Sequence, residues 1–174
     1  QASGEDGVFL TVGSDQNISK IRQLHCLPKS NQALTATSDK CVRLWDVNGW
    51  QLLEEFRFHV GKGRIGEITS LSVSKDEKSF AVGHFGRPNS TTGDIYVVQK
   101  SPRKIVHLLR QHKATITHLA FYDSDQKLLS VDEGGQLLLW DLKTGKSVGN
   151  VSFKEANERI TSLMFNKKQQ LVLG

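Results

Sequence analysis

Apolar residues recur along the chain in short bursts that repeat. Four segments share the pattern Ile-x-x-Leu-x-(Cys/Val/Phe): IRQLHC at Ile21, ITSLSV at Ile68, ITHLAF at Ile116 and ITSLMF at Ile160. Their isoleucines lie 47, 48 and 44 residues apart. A polar turn follows each (PKSNQ, SKDEK, YDSDQ, NKKQ), and then a second apolar run (ALTAT, SFAVG, LLSV, LVLG). In three units a third run comes next, VRLWD at Val42, DIYVV at Asp94 and LLLWD at Leu137. A fourth run closes each of those three, from Gln51, Lys104 and Lys146.

The runs are short, rich in β-branched and aromatic residues, and bounded by Gly, Asn, Asp, Ser and Lys, which is strand chemistry. No longer window carries a helical period. Asn48-Gly49 and Thr144-Gly145 sit between third and fourth runs, where a tight hairpin places glycine at positive φ. Four antiparallel strands repeated at this interval predict an all-β chain of radial four-stranded blades.

The residues that close the third runs, Leu44-Trp45-Asp46 and Leu139-Trp140-Asp141, resemble those of the WD40-repeat family. Asp39 matches the family's tight-turn aspartate, and His112 its histidine ahead of the first strand. Thr35 and Ser130 match its second-strand hydroxyl. The resemblance extends from about Val8 to Gly174 and implies a β-propeller. It also implies that His, Ser/Thr, Asp and Trp form a buried hydrogen-bonded set in each blade. The match is uneven. Asn17 stands where the first full blade needs His; the second has Arg64 for His and Tyr96 for Trp; the third has Gly134 at the aspartate position, beside Glu133.

On this reading blades occupy 17–58, 64–109 and 112–153. Residues 160–174 begin another, and Val8–Val12 is a lone outer strand of a preceding one. About three and a half blades are then present, of an expected seven, and the chain reads as an excerpt of a longer protein.

Composition adds limits. The chain has 174 residues, 37% of them apolar and 24% charged, which excludes a mainly disordered chain. No run approaches the ~18–20 apolar residues of a membrane helix, and no signal peptide is recognised. Two cysteines, Cys26 and Cys41, are too few for a disulfide framework and are read as small buried hydrophobes in an intracellular protein, cytoplasmic or nuclear. The net charge is +5.

Candidate chemistry is sparse. No phosphate loop, HExxH, CxxC or nucleophile elbow occurs, and the six histidines lack metal-ligand spacing. No catalytic residue, cofactor, metal or small-molecule substrate is expected. Binding candidates come from the segment 84–94, longer than its counterparts, which carries His84, Phe85 and Arg87. In a WD-repeat propeller it would open on the same face as the links bearing Lys62, Arg64 and Lys113, giving a basic, partly aromatic patch. Trp50 has two readings, an interface anchor or, the favoured one, a residue packed on the neighbouring blade. Ser101-Pro102-Arg103-Lys104 has the form of a proline-directed kinase site. Asn-x-Ser/Thr triplets at Asn17, Asn89 and Asn150 are read as coincidence. Trp140-Asp141-Leu142-Lys143 resembles the Trp-Asp-x-Arg element of cullin-RING substrate receptors, but lysine does not replace a bidentate arginine.

The expected role is a scaffold for protein–protein interaction in a multi-subunit assembly, its partners proteins or peptides on the propeller faces. The alternative is a subunit of an RNA-processing or ribosome-assembly complex touching nucleic acid through a basic face.

Overall fold

The computed structural model describes residues 20–60, 63–64, 66–85, 92–153, 160, 162–165 and 171–173, and the side chains of 59–65, 164–165 and 171–173 are not among what it describes. The lone strand expected at Val8–Val12, and Asn17, Lys62, Arg87 and Asn89, lie outside the described residues.

Every described element is a strand. β1 (Ile21–Leu27), β2 (Gln32–Thr37), β3 (Cys41–Asp46) and β4 (Gln51–Arg57) form one antiparallel sheet in chain order. The link to the next unit holds a two-residue ladder of β5 (His59–Val60) with β6 (Gly63–Arg64), which the sequence pattern does not signal. β7 (Ile68–Val73), β8 (Ser79–His84), β9 (Asp94–Gln99) and β10 (Lys104–Arg110) form the second sheet. β11 (Ile116–Tyr122), β12 (Lys127–Asp132), β13 (Gln136–Asp141) and β14 (Lys146–Ser152) form the third. β15 (Leu163–Phe165) pairs with β16 (Leu171–Leu173). The chain is all-β, built of the four-stranded antiparallel blades that the repeat pattern predicts.

The apolar runs of β8 and β9 are continuous rather than alternating because both faces of the second sheet are buried. Phe80, Val82, Tyr96 and Val98 pack with Leu34, Val42, Leu44 and Phe56 of the first sheet. Ala81, Ile95 and Val97 pack on the opposite face with Ile116, Leu128, Leu138 and Trp140 of the third. The second sheet is thus one wall of two cores. Ile21 holds the same repeat position as Ile68 and Ile116 yet is 41% exposed, against 1% and 0%. Among the described residues no sheet lies in front of β1.

Register shifts recur at the start of each first strand, at Ile21/Gln23, Ile68/Ser70 and Ile116/His118. Such a bulge bends a strand and strengthens its twist. First strands of neighbouring sheets also touch directly: His25 Nε2 meets the Leu71 carbonyl at 2.8 Å, and the Thr69 hydroxyl donates to the Ile116 carbonyl at 2.5 Å.

A second tie repeats between blades. The Glu77 carboxylate accepts the backbone N–H groups of Lys29 at 2.9 Å and Ser30 at 3.0 Å, in the first turn of the preceding blade. In the next unit Asp125 accepts those of Lys75 at 2.8 Å and Asp76 at 3.0 Å. Both acids sit at positive φ, 61° and 67°, where the turn aims the carboxylate backwards. Charge-assisted bonds of this kind are stronger than neutral ones.

Two hairpin expectations divide. Gly145 has φ 70°, as a tight turn demands, but in Asn48-Gly49-Trp50 the left-handed residue is Trp50, at φ 49°. The Asp46 carboxylate accepts the Gly49 N–H at 2.8 Å just as Asp141 accepts that of Thr144, so the two turns are equivalent and Trp50 holds the position that blade three gives to Gly145. Gly145→Ala is expected to lower stability by about 1–2 kcal/mol, measured by urea denaturation. The new Cβ would also meet His107 Nδ1 at 2.7 Å, so an unchanged midpoint would refute this account of the turn.

The cysteines also divide. Cys41 is buried, but Cys26 is exposed, because alternation along β1 turns it away from the core.

Candidate interaction surface

The buried polar sets come first, because they decide which residues are free to bind. In blade three His112 Nδ1–H donates to Asp132 at 2.9 Å, the Ser130 hydroxyl donates to His112 Nε2 at 2.6 Å, and Trp140 Nε1–H donates to Ser130 Oγ at 2.8 Å. His112, Ser130 and Asp132 are 2%, 0% and 4% exposed. The set is therefore complete, which corrects the expectation that Gly134 leaves blade three without its aspartate. The carboxylate comes from Asp132 at the end of β12, two residues after Ser130 and so on the same face of the strand. Its other oxygen accepts the N–H groups of Gly134 at 3.0 Å and Gln136 at 2.9 Å, closing the turn.

Burial pushes the His112 imidazole below its ordinary pKa, against the pull of Asp132. The ring is neutral, with one N–H given and one lone pair filled. An imidazole in the unfolded chain takes its proton near about pH 6.5. Between that value and the lowered folded one, the unfolded state binds more protons. Stability is then complete above the unfolded value and declines as pH falls toward the folded one. His25, also lowered by burial despite its bond to Leu71, adds in the same direction. The melting temperature is expected to drop between pH 7.5 and 5.5, with a smaller drop in His112→Asn; a flat profile would contradict it.

In blade one Trp45 Nε1–H donates to Thr35 Oγ1 at 2.9 Å. Asp39 does not join this pair. It binds the guanidinium of Arg43 at 2.5 Å, while Arg43 Nε donates to Glu55 at 2.8 Å. Arg43 is 6% exposed, and a buried cation needs such compensation. Asp46 and Asp141 of the two Trp-Asp pairs cap the following turns. Asp141 accepts the Thr144 N–H at 2.8 Å. That bond and the Thr144 hydroxyl hold its carboxyl below the usual range.

In blade two Tyr96 takes the tryptophan position and is buried, with His84 stacked on it at 5.6 Å. His84 Nδ1–H donates to the Phe85 carbonyl at 2.6 Å. At 0% exposure His84 belongs to the core and not to the surface patch expected of it, because it ends β8 on the inward face.

The remaining binding candidates fall at two ends of the sheets. The links between second and third strands join the links that precede first strands: Phe85 N–H donates to the Glu67 carbonyl, Gly93 to Ala114 and Glu133 to Thr115. At this loop end Phe85 is 54% exposed and Lys113 is exposed. Arg64 lies there by its place in β6, although its side chain is not described, and Arg87 lies outside the described residues. Trp50 lies at the opposite end, in the turn between β3 and β4, and is 46% exposed. It shares no surface with Phe85 and Lys113, and its exposure runs against the favoured packed reading. Among the described residues no group of three His, Cys, Asp or Glu could hold a metal ion, and no helix is long and apolar enough to cross a membrane.

Comparison with known proteins fits this geometry. The family model described as "WD domain, G-beta repeat" matches residues 19–46 and 103–141. The chain is 29% identical over 119 residues to the U3 small nucleolar RNA-associated protein 21 homolog of Schizosaccharomyces pombe, covering 68% of this chain and 12% of that protein. It is 27% identical over 129 residues to the U5 small nuclear ribonucleoprotein 40 kDa protein of Dictyostelium discoideum, covering 71% and 32%. With WD repeat-containing protein 1 of Gallus gallus it shares 24% identity over 148 residues, 83% of this chain and 22% of that one. The chain therefore spans a third or less of the length of these relatives. Two matched repeats, Trp-Asp pairs closing third strands, and a buried His–Ser–Trp–Asp set in a four-stranded blade are features that this chain shares with WD40-repeat proteins.

Proposed function

We propose that the chain is a non-catalytic WD-repeat scaffold that holds other proteins together in a larger intracellular assembly. One observation carries this. Asp132, His112 and Ser130 have the connectivity of a hydrolytic triad, yet all three are sealed in the blade and Trp140 Nε1–H occupies the serine oxygen. A nucleophile must reach a substrate carbonyl, and this one faces only its own core. The set is spent on rigidity, so the surface left for function is one of shape and charge. On the same reading residues 17–58, 64–109 and 112–153 act as three blades of one propeller domain that spans the chain and continues into another blade at 160–174.

The loop end is the favoured contact face, through Phe85, Lys113, Arg64 and Arg87. Its test is affinity purification of the full-length protein, wild type against Arg64→Ala/Arg87→Ala/Lys113→Ala. Partners retained by the wild type and lost by the triple variant support the face; an identical set refutes it.

A second reading, an RNA-associated subunit, rests on the net charge of +5 and on relatives named for U3 and U5 particles. Nuclease treatment separates the two. Partners that survive it belong to a protein scaffold, whereas partners lost with it, together with RNA affinity that falls steeply with salt, belong to the second reading.

A further inference from the structure

The outer rims of the first two sheets frame a cleft of about 250 Å³. Phe56 of β4 and Phe58 just after it, with Val98 of β9, line its base, and Arg57, Arg103 and Lys104 line its mouth. We propose that this cleft docks an extended acidic peptide segment of a partner protein. One apolar side chain of the segment packs against Ile105, the lining residue that is 48% exposed, and its carboxylates meet Arg57, Arg103 and Lys104. The proposal rests on the scaffold reading but names a surface on the circumference, apart from the loop end.

Charge complementarity selects the occupant. Of the seven side chains that line the cleft, Ile105 included, three are cations and none is an acid. Two glutamates stand nearby and orient the cations. Arg57 Nε donates to Glu55 at 2.5 Å, and Arg103 lies 3.6 Å from Glu54. The Glu55 bond uses one donor of Arg57 and leaves its terminal amino groups open among the described residues. Arg103 is laid over the Phe56 ring at 4.7 Å, which fixes the plane of a guanidinium that is 50% exposed. A fixed planar fork is the geometry that takes a carboxylate on two bonds.

Two further features favour a peptide over nucleic acid. Among the described residues β4 and β10 are the outermost strands of their sheets, and no described strand pairs with their outer backbone edges, which an added strand could take. The aromatics of the base are recessed, 1% exposed for Phe56 and 6% for Phe58, and give no ring face on which a base could stack. The volume admits one apolar side chain and is below that of most small-molecule sites.

The test is fluorescence anisotropy of the full-length protein with a labelled Glu-Asp-Glu-Leu-Asp-Glu peptide. Saturable binding is expected, weakened about tenfold by Lys104→Glu and about tenfold by Arg57→Glu. Lys104 is exposed and has no partner among the described residues, so its melting temperature stays at the wild-type value and the loss reads binding alone. Lys113→Glu, at the loop end, leaves the affinity unchanged. The proposal is overturned if the peptide does not saturate, if both cleft variants bind like wild type, or if a uridine oligonucleotide displaces the peptide and binds more tightly. Loss of nuclease-resistant partners in purification would instead overturn the scaffold reading.

Discussion

Asp132→Ala is expected to destabilise the protein by about 3 kcal/mol, the cost of leaving a buried donor and its neighbours without their acceptor. The substitution removes the acceptor of His112 Nδ1–H inside the blade and of two backbone N–H groups in the turn that follows. The turn N–H groups belong to more open positions and can turn to water, so the larger part of the loss is at His112. That ring is 2% exposed and has no second acceptor within reach in the described contacts. Asp132→Asn is expected to cost less. Its carbonyl oxygen still accepts from Gly134 and Gln136, and its amide donates to His112 Nδ1 once the ring takes the other tautomer. Ser130 Oγ would then accept from both His112 and Trp140. Urea denaturation followed by tryptophan fluorescence ranks the three proteins. A loss below about 1 kcal/mol in the alanine variant would mean that Asp132 does not hold the set together.

Asp132 also marks the limit of what the sequence discloses. The strands are legible because their chemistry is local: short apolar runs, polar turns, and a repeat that places Trp45 and Trp140 at the same point of a hairpin. The buried sets depend on which side chains converge across strands, and there a resemblance is an incomplete guide. It directs attention to position 134, a glycine, while the carboxylate stands two residues earlier, on the face of Ser130. Alternation along β12 is the signal that would have found it. Asp39 is the converse. It stands at the expected position but is drawn off by Arg43, four residues on in β3, whose guanidinium turns back onto it. His84 reads as a loop residue because it precedes a long polar segment, yet β8 runs through it and turns its ring onto Tyr96. The Arg–Lys cleft has no sequence signature, since its walls come from β4 and from the turn between β9 and β10, about 50 residues apart in the chain. The scaffold is thus written in local pattern, and the surface for binding in contacts between repeats.

Contacts between repeats also set the other large effect. Gly83→Ala is expected to destabilise the protein by about 3 kcal/mol, at the upper end of the range for overpacking a core. Gly83 pairs with Ser70 across β7 and β8, on the face that receives the third sheet. A Cβ there would lie against Ser70 Oγ and stand 2.5 Å from Ile116 Cγ2 and 2.6 Å from Ile116 Cβ. Gly93 lines the same notch, where a Cβ would stand 2.8 Å from Ile116 Cγ1. Two glycines thus make the socket for a side chain that is 0% exposed and joins the cores of two sheets. Rotation of Ser70 could relieve the first contact, but the Ile116 Cβ is fixed to the backbone of β11 and cannot turn aside. The sheets must then separate, which opens the Ala81–Ile95–Val97 face to imperfect packing. Ser70→Ala/Gly83→Ala should therefore remain close to the single variant in stability, while Ser70→Ala alone changes little, since its buried hydroxyl has no hydrogen-bond partner in the described structure. Full recovery in the double variant would place the strain within the second sheet and not between the second and the third.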